Sequence, residues 1–389
     1  MAKKKILLFC LHGVIGSRGG VGNILFSMGN KFVEFGYDVY VVICDNTSGE
    51  ILYDINEKIT LFNIAGSDYT KSLTLWQKLR RAMAGNQNDR HIYEESITDR
   101  YISGKLAPII YEIKPDLGIT FSTDATRILY HYIDVKFPTI TTQHGDPEII
   151  LDKLTNYTLH ALHRTDYIQV LLDSYIRKSS KKTTVPKTKF IRIPNPIPQY
   201  LPNWDNKQNI IVCISRVDGS KMQHLIIEAF SLLRDKYPDW KVEFWGDYSN
   251  NINYYKQCNS LIDKYELKER VLFCGETREV ELQLQRAKIY ITTSLHEGFP
   301  ISLGEAMGAG LPAVGLKQCP AVNELIINGK NGFLCDNAPE SIAAVLDKLM
   351  ADEELLVRLG QNAHESMKQF APDKVWNMWH KLVENIFSE

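Results

Sequence analysis

The sequence predicts an α/β protein of two domains, and three observations carry that expectation. At 389 residues the chain exceeds one ordinary hydrophobic core. Two expected strands, 5–11 and 210–215, carry continuous apolar runs at 6–11 and 210–214, and each leads into a helical pattern. Runs of that kind belong to strands buried on both faces of a parallel sheet. Between them stand Pro194, Pro196, Pro198 and Pro202, a stiff linker that puts the boundary near residue 205. The expected domains are therefore 1–204 and 205–371.

Composition narrows the class. Hydrophobic residues make up 44% and charged residues 23%, the balance of a soluble globular protein. No apolar run approaches the roughly 18 residues of a membrane helix. The stretch after Met-Ala-Lys-Lys-Lys is only strand-sized, so no signal peptide is expected. Seven cysteines are scattered without C-x-x-C spacing, as expected of reduced, mostly buried thiols in a cytoplasmic protein. That pattern argues against a disulfide framework and a zinc site. Net charge is −1 but uneven: residues 1–200 hold 25 Lys/Arg against 20 Asp/Glu, and residues 201–389 hold 20 against 26. A basic first half fits an anionic membrane or a phosphorylated acceptor. No nucleic-acid module is visible.

In the first domain, strand 5–11 is followed by the glycine-rich turn Gly16-Ser17-Arg18-Gly19-Gly20-Val21-Gly22-Asn23 and a helix ending at Gly36. A strand at 37–44 completes a βαβ unit. The turn is not a dinucleotide fingerprint, because Leu25 stands where the third glycine should fall. Trp76, Lys78, Leu79, Arg80, Arg81 and Met83 suit a short amphipathic helix, either at a membrane interface or covering a domain edge. A helix at 91–113 is stopped by Pro115, and strands follow at 116–121 and 138–143. His144 comes next, in a Gly/Pro turn at a strand's carboxyl end, where such sheets bind ligands. His12 is its rival. A strand at 166–172 precedes the run Arg177-Lys178-Ser179-Ser180-Lys181-Lys182, with Lys187 and Lys189 beyond, which reads as solvated surface.

The second domain opens with strand 210–215, then Arg216 and Lys221, two cations able to close on a diphosphate. A helix at 225–237 and strands at 240–246 and 271–275 follow. The stretch 291–315, ITTSLHEGFPISLGEAMGAGLPAVG, is a strand end, a loop, a helix from near Ser302, and another strand. Unpaired N–H groups at such a helix start attract anions. Glu297 and Glu305 bracket that point and suit neutral hydroxyls, such as those of the sugars flanking a diphosphate. Ser302-Leu303-Gly304-Glu305 also fits a capping box, in which Glu305 only secures the helix start. Helices cover 339–368, and the last, from Pro372, is strongly amphipathic.

Written E-G-F-P-x-x-x-x-E-A-M-x-x-G-x-P, the stretch around Glu297 and Glu305 resembles the signature of family-4 retaining glycosyltransferases of GT-B fold. The resemblance implies two Rossmann-like domains facing across a cleft, with helix 372–389 crossing back to the first. It gives Glu297 to the donor sugar, Glu305 to the nucleotide ribose, and Gly298, Phe299, Pro300, Ile301 and Ser302 to the donor. Arg216-x-x-x-x-Lys221 resembles the family's motif on the donor pyrophosphate, although Met222 stands where glycine is usual. His144 would reach the donor sugar, Gly20 belongs to a Gly-Gly loop near the donor or acceptor, and Arg278 to a loop under the base. Residues 195–198 resemble the family's hinge, and 324–332 a structural turn.

The expected activity is transfer of a sugar from a nucleotide sugar, UDP-linked by preference, to a glycan or polyprenyl-linked acceptor in surface polysaccharide synthesis. No cofactor is expected, and no metal, since no D-x-D occurs. Arg216, Lys221 and the helix start at 300–303 would meet the departing charge. Retention of configuration rests on the resemblance alone. An epimerase or phosphorylase of the same fold, or a non-catalytic scaffold subunit, are the alternatives. The expected location is cytoplasmic, at the inner face of the membrane.

Overall fold

A computed structural model describes residues 2–16, 19–65, 75–205 and 207–388. Ser17 and Arg18 of the glycine-rich turn lie outside the described residues. The chain forms two compact units, one running to Pro194 and resuming at Trp376, the other Asn195–Val375.

The first unit is built on seven parallel strands: β1 (Lys5–Cys10), β2 (Asp38–Ile43), β3 (Thr60–Asn63), β4 (Leu117–Thr120), β5 (Thr139–Thr142), β6 (Tyr167–Val170) and β7 (Phe190–Arg192). Their order is β3-β2-β1-β4-β5-β6-β7. β1 is buried on both faces from Ile6 to Cys10, which accounts for its unbroken apolar run. The second unit holds six parallel strands: β8 (Ile210–Ile214), β9 (Lys241–Trp245), β10 (Val271–Gly275), β11 (Ile289–Ile291), β12 (Ala313–Leu316) and β13 (Gly332–Cys335). Their order is β10-β9-β8-β11-β12-β13. In each sheet the order reverses once, between β1 and β4 and between β8 and β11. Doubly wound sheets bind ligands in the crevice outside the strand ends at such a point.

The units divide at Asn195, ten residues before the boundary read from the prolines. The proline-rich segment packs onto the second unit instead of spanning open solvent. Ile197 N–H donates to Phe370 O at 2.8 Å, and the Ile197 side chain fills the space where a Cβ on Gly304 would stand. Trp204 likewise lies against Gly310 and Gly360. The helix Pro372–Ser388 belongs to the first unit from Trp376 on, where Tyr37 donates to Glu384 and Phe35 stacks on His380 at 4.3 Å.

Several elements depart from the sequence reading, and three of them lie in the first unit before β5. The helix expected at 91–113 begins at Gln87, capped by Asn86, whose side chain accepts from Asp89 N–H. The edge strand β3 and the helix Thr123–Tyr132 are additional. β3 has no fully buried residue, and it lacks the long apolar run that marks β1 and β8.

Candidate active site

In the second unit the loops after β8 and β11 meet at the reversal point. Gly246, at the end of β9, makes room for them: a Cβ there would lie 2.1 Å from Ser215 O, and its φ of +147° suits only glycine. The Thr293 hydroxyl bonds to Lys221 O at 2.7 Å and Met222 O at 3.0 Å, and Leu295 N–H donates to Ser220 O at 3.0 Å. These bonds tie the two loops together. Lys221 Nζ consequently reaches Glu297 Oε1 at 2.6 Å, with side chains 16% and 19% exposed. Arg216 does not join them. Its side chain is 73% exposed, lies 3.6 Å from Asp218, and overlooks a cavity of about 380 Å³ that Asp247, Asn250 and Asn251 also line.

The helix Ile301–Gly308 starts behind Pro300 with no side-chain cap. Gly304 N–H donates to Pro300 O at 3.0 Å, leaving the amides of Ile301, Ser302 and Leu303 without intrahelical partners. The capping box does not form. Ser302 lies inside the first turn, and its hydroxyl shares a 2.8 Å hydrogen bond with the Tyr290 hydroxyl. Glu305 is therefore not occupied as a cap. It is half-buried, and desolvation raises its carboxyl to about 7 despite a hydrogen bond from the Tyr200 hydroxyl. Phe299 is buried edge-on to Phe370, with ring centroids 5.5 Å apart, while Gly298 and Ile301 are half-buried. Arg278 is exposed in the loop after β10.

In the first unit, a cavity of about 390 Å³ opens at the carboxyl ends of β1, β4 and β5, lined by His12, Val21, Phe121, Asp124, Gln143 and His144 among others. Gly20 begins the helix Gly20–Glu34, next to Val21. The His144 ring stacks on Phe121 at 5.3 Å. Its Nε2 lies 2.8 Å from the Thr142 hydroxyl, which itself donates to Thr120 O at 3.0 Å. A hydroxyl has one proton to give, so Nε2 carries the imidazole hydrogen and Nδ1 is the acceptor. Nδ1 is buried with no hydrogen-bond partner. Burial, and then the neighbouring His12, push the imidazole down to about 3, so it is neutral at physiological pH.

Residues 202–366 match the family model of glycosyl transferases group 1. The matched stretch belongs to that family. Along its whole length this chain resembles an uncharacterized glycosyltransferase of Haemophilus influenzae, 24% identical over 386 residues and covering 98% of this chain and 100% of the relative. Sucrose-phosphate synthase from Thermosynechococcus elongatus shares its fold at a TM-score of 0.79 with 15% identity, covering 99% of this chain and 100% of that one. Anabaena HepE, solved with UDP and glucose, does so at a TM-score of 0.73 with 17% identity, covering 99% and 100%. The fold is that of the GT-B glycosyltransferases, with two Rossmann-like domains.

Within the second unit the structure brings Lys221 to Glu297 and sets Glu305 into the helix behind them. It leaves Arg216 and Arg278 extended on the surface of the same unit. His144 and Gly20 belong to the first unit. Two residues escaped the sequence reading. Tyr200 reaches Glu305 from the proline-rich segment, and nothing in its own neighbourhood signals that role. Thr293 lies just past β11, where a hydroxyl paired to a loop carbonyl is a recognisable stitch only once the facing loop is known.

Proposed function

We propose that this glycosyltransferase takes a hexosyl group from a nucleotide sugar, with UDP as the favoured carrier, and transfers it with retention to a glycan or lipid-linked glycan. The observation that carries this reading is the Lys221–Glu297 pair beside an uncapped helix start. Together they offer a cation, free backbone N–H groups and a carboxylate at one strand-order reversal. A diphosphate satisfies the first two, and sugar hydroxyls satisfy the third. On donor binding, Lys221 turns from Glu297 to the phosphates and Glu297 accepts from the sugar. Arg216, extended and lightly held, folds onto the diphosphate from the other side. Glu305 ionises as it accepts the ribose hydroxyls.

In the transfer step the bond from the anomeric carbon to the diphosphate oxygen breaks, and the acceptor oxygen bonds to that carbon. The acceptor proton leaves with the diphosphate. Arg216, Lys221 and the helix amides oppose the negative charge as it develops, where such donors contribute most. Neutral His144 offers Nδ1 as an acceptor for a sugar hydroxyl. The glucose and UDP held by Anabaena HepE support the choice of carrier. None of the seven cysteines forms a disulfide, which supports a reducing, cytoplasmic setting.

The test is a screen of UDP- and GDP-sugars for slow hydrolysis without acceptor, with products identified by mass. Release of UDP and free sugar supports the reading. An isomerised nucleotide sugar would indicate an epimerase, and no turnover of any donor would indicate a scaffold.

A further inference from the structure

The helix Leu75–Met83 of the first unit has no buried residue. Leu75 is 73% exposed, Trp76 77%, Leu79 50% and Met83 85%. At 3.6 residues per turn, Ala82, Leu75, Leu79, Met83 and Trp76 share one continuous arc of about 120°. Lys78 borders that arc on one side and Arg80 on the other. Gln77 and Arg81 occupy the opposite face, and there Arg81 pairs with Glu94 of the helix Gln87–Ile113 at 2.5 Å. The short helix is thus fastened by its polar back, and its apolar face points outward between two cations.

We propose that this helix docks the protein on an anionic bilayer. It lies in the headgroup plane, with Leu75, Trp76, Leu79 and Met83 inserted and Lys78 and Arg80 at the lipid phosphates. The arrangement is that of an interfacial helix: long cationic side chains reach up to the headgroups from either edge of an apolar face, and an indole suits the boundary itself. A second copy of this chain is a poorer occupant. Pairing two such faces would set their bordering cations against each other. A nine-residue helix also offers far less than the roughly 800 Å² per partner of a stable protein interface.

Of the five lysines of 178–189, which composition alone would enlist, three are committed elsewhere. Lys178 pairs with Glu148 at 2.9 Å, Lys182 with Asp152, and Lys189 donates to His163 O and Thr165 O at 2.8 and 2.6 Å. Arg81 is withdrawn in the same way. The docking surface is this one helix, and it stands independently of which donor the enzyme uses.

The test is sedimentation of the full chain with phosphatidylcholine vesicles, with and without about 30% phosphatidylglycerol, an anionic surface that attracts nearby cations. The protein should sediment with the anionic vesicles at low ionic strength and be released near about 0.5 M salt, where charge is screened within a few ångströms. Trp76→Ser with Leu79→Ser should lower partitioning at least about tenfold on either lipid, since apolar insertion is lost. Lys78→Ser with Arg80→Ser should remove the preference for anionic lipid. Both variants should retain wild-type melting and donor hydrolysis, which keeps this test separate from that of the proposed activity. Wild-type protein left in the supernatant with anionic vesicles overturns the proposal. So does an apolar-face variant that sediments like the wild type, or a lipid-free dimer that this variant converts to monomer.

Discussion

An ion pair in each unit shows two ways of holding charge inside this protein. In the first unit, Arg127 is 4% exposed and grips Asp99, itself fully buried, through Nε at 2.7 Å and Nη2 at 2.9 Å. Its Nη1 also reaches Glu95 and Asp124, each at 2.7 Å, and Thr158 at 3.1 Å. In the second unit Lys221 meets Glu297 through one contact, and both side chains keep some solvent access. A planar fork set among several carboxylates gives a fixed geometry that no incoming ligand can match. A point charge on a flexible stem, joined through one contact, is less constrained in geometry. The first arrangement ties several elements of the first unit together, whereas the second joins two loops through a single contact.

The sharpest way to break this comparison is to remove each cation. Arg127→Met strands Asp99 as a buried carboxylate without its partner. Losing one member of such a pair costs about 3–5 kcal/mol, so chemical denaturation should show a large loss of stability. Adding Asp99→Leu should recover part of it. If Arg127→Met melts like the wild type, the network is not structural.

Lys221→Ala should behave in the opposite way. Turnover should fall by about 10²–10³-fold, the scale for losing one donor to the transition-state charge, while the melting temperature stays unchanged. Arg216→Ala should resemble it, since that side chain is largely exposed and supports no core. Wild-type donor hydrolysis in either variant would end the diphosphate role.

Glu305 sharpens the comparison, because burial brings its carboxyl close to neutral pH. Its carboxyl, raised to about 7 by burial, is partly protonated near neutrality. Ribose hydroxyls need the ionised form, so UDP affinity should rise about tenfold from pH 6 to pH 8 as the carboxylate forms. Calorimetric titration of Glu305→Gln should show weaker binding with that pH dependence gone, the titration of UDP itself being common to both proteins. Stability carries the opposite sign. The folded carboxyl holds its proton up to about 7, whereas the unfolded one loses it near 4.5. Its contribution therefore falls as pH rises between those values and is constant above them. A Glu305→Gln variant that loses stability and keeps its affinity would restore the capping role.

How far the sequence alone reached follows the same division. The stretch after β11 was legible because Glu297, Gly298, Pro300 and Glu305 lie within nine residues, so their relation survives in one dimension. The apolar runs of β1 and β8 likewise state their burial directly. Tyr200 was not legible, being brought to Glu305 from a distant segment by the packing of Ile197 and Trp204. The cations were only half legible. Composition counts Arg81, Lys178 and Lys182 as surface charge, but their partners Glu94, Glu148 and Asp152 come from other helices. Charge adds up along a sequence, whereas pairing depends on the fold.

The smallest expected effect lies in the loop that carries Lys221. Met222 has φ 48° and ψ 43°, a left-handed backbone that costs a residue with a side chain about 1–2 kcal/mol and costs glycine almost nothing. The side chain is 7% exposed, and burying a methionine contributes about 1.5–3 kcal/mol, which offsets the strain. Met222→Gly loses the burial but relieves the strain, so the net loss should be within about 1 kcal/mol. Met222→Ala loses nearly the same burial and keeps the strain, so it should be the less stable of the two. Alanine normally outranks glycine by about 1 kcal/mol in a helix interior, so this inverted order is diagnostic of the backbone conformation. Thermal melts of both variants read it directly, and donor hydrolysis should persist in each because Lys221 keeps its bonds to β11's loop. Should the alanine variant melt at or above the glycine variant, Met222 is not held in the left-handed region, and Lys221 reaches Glu297 by a different path.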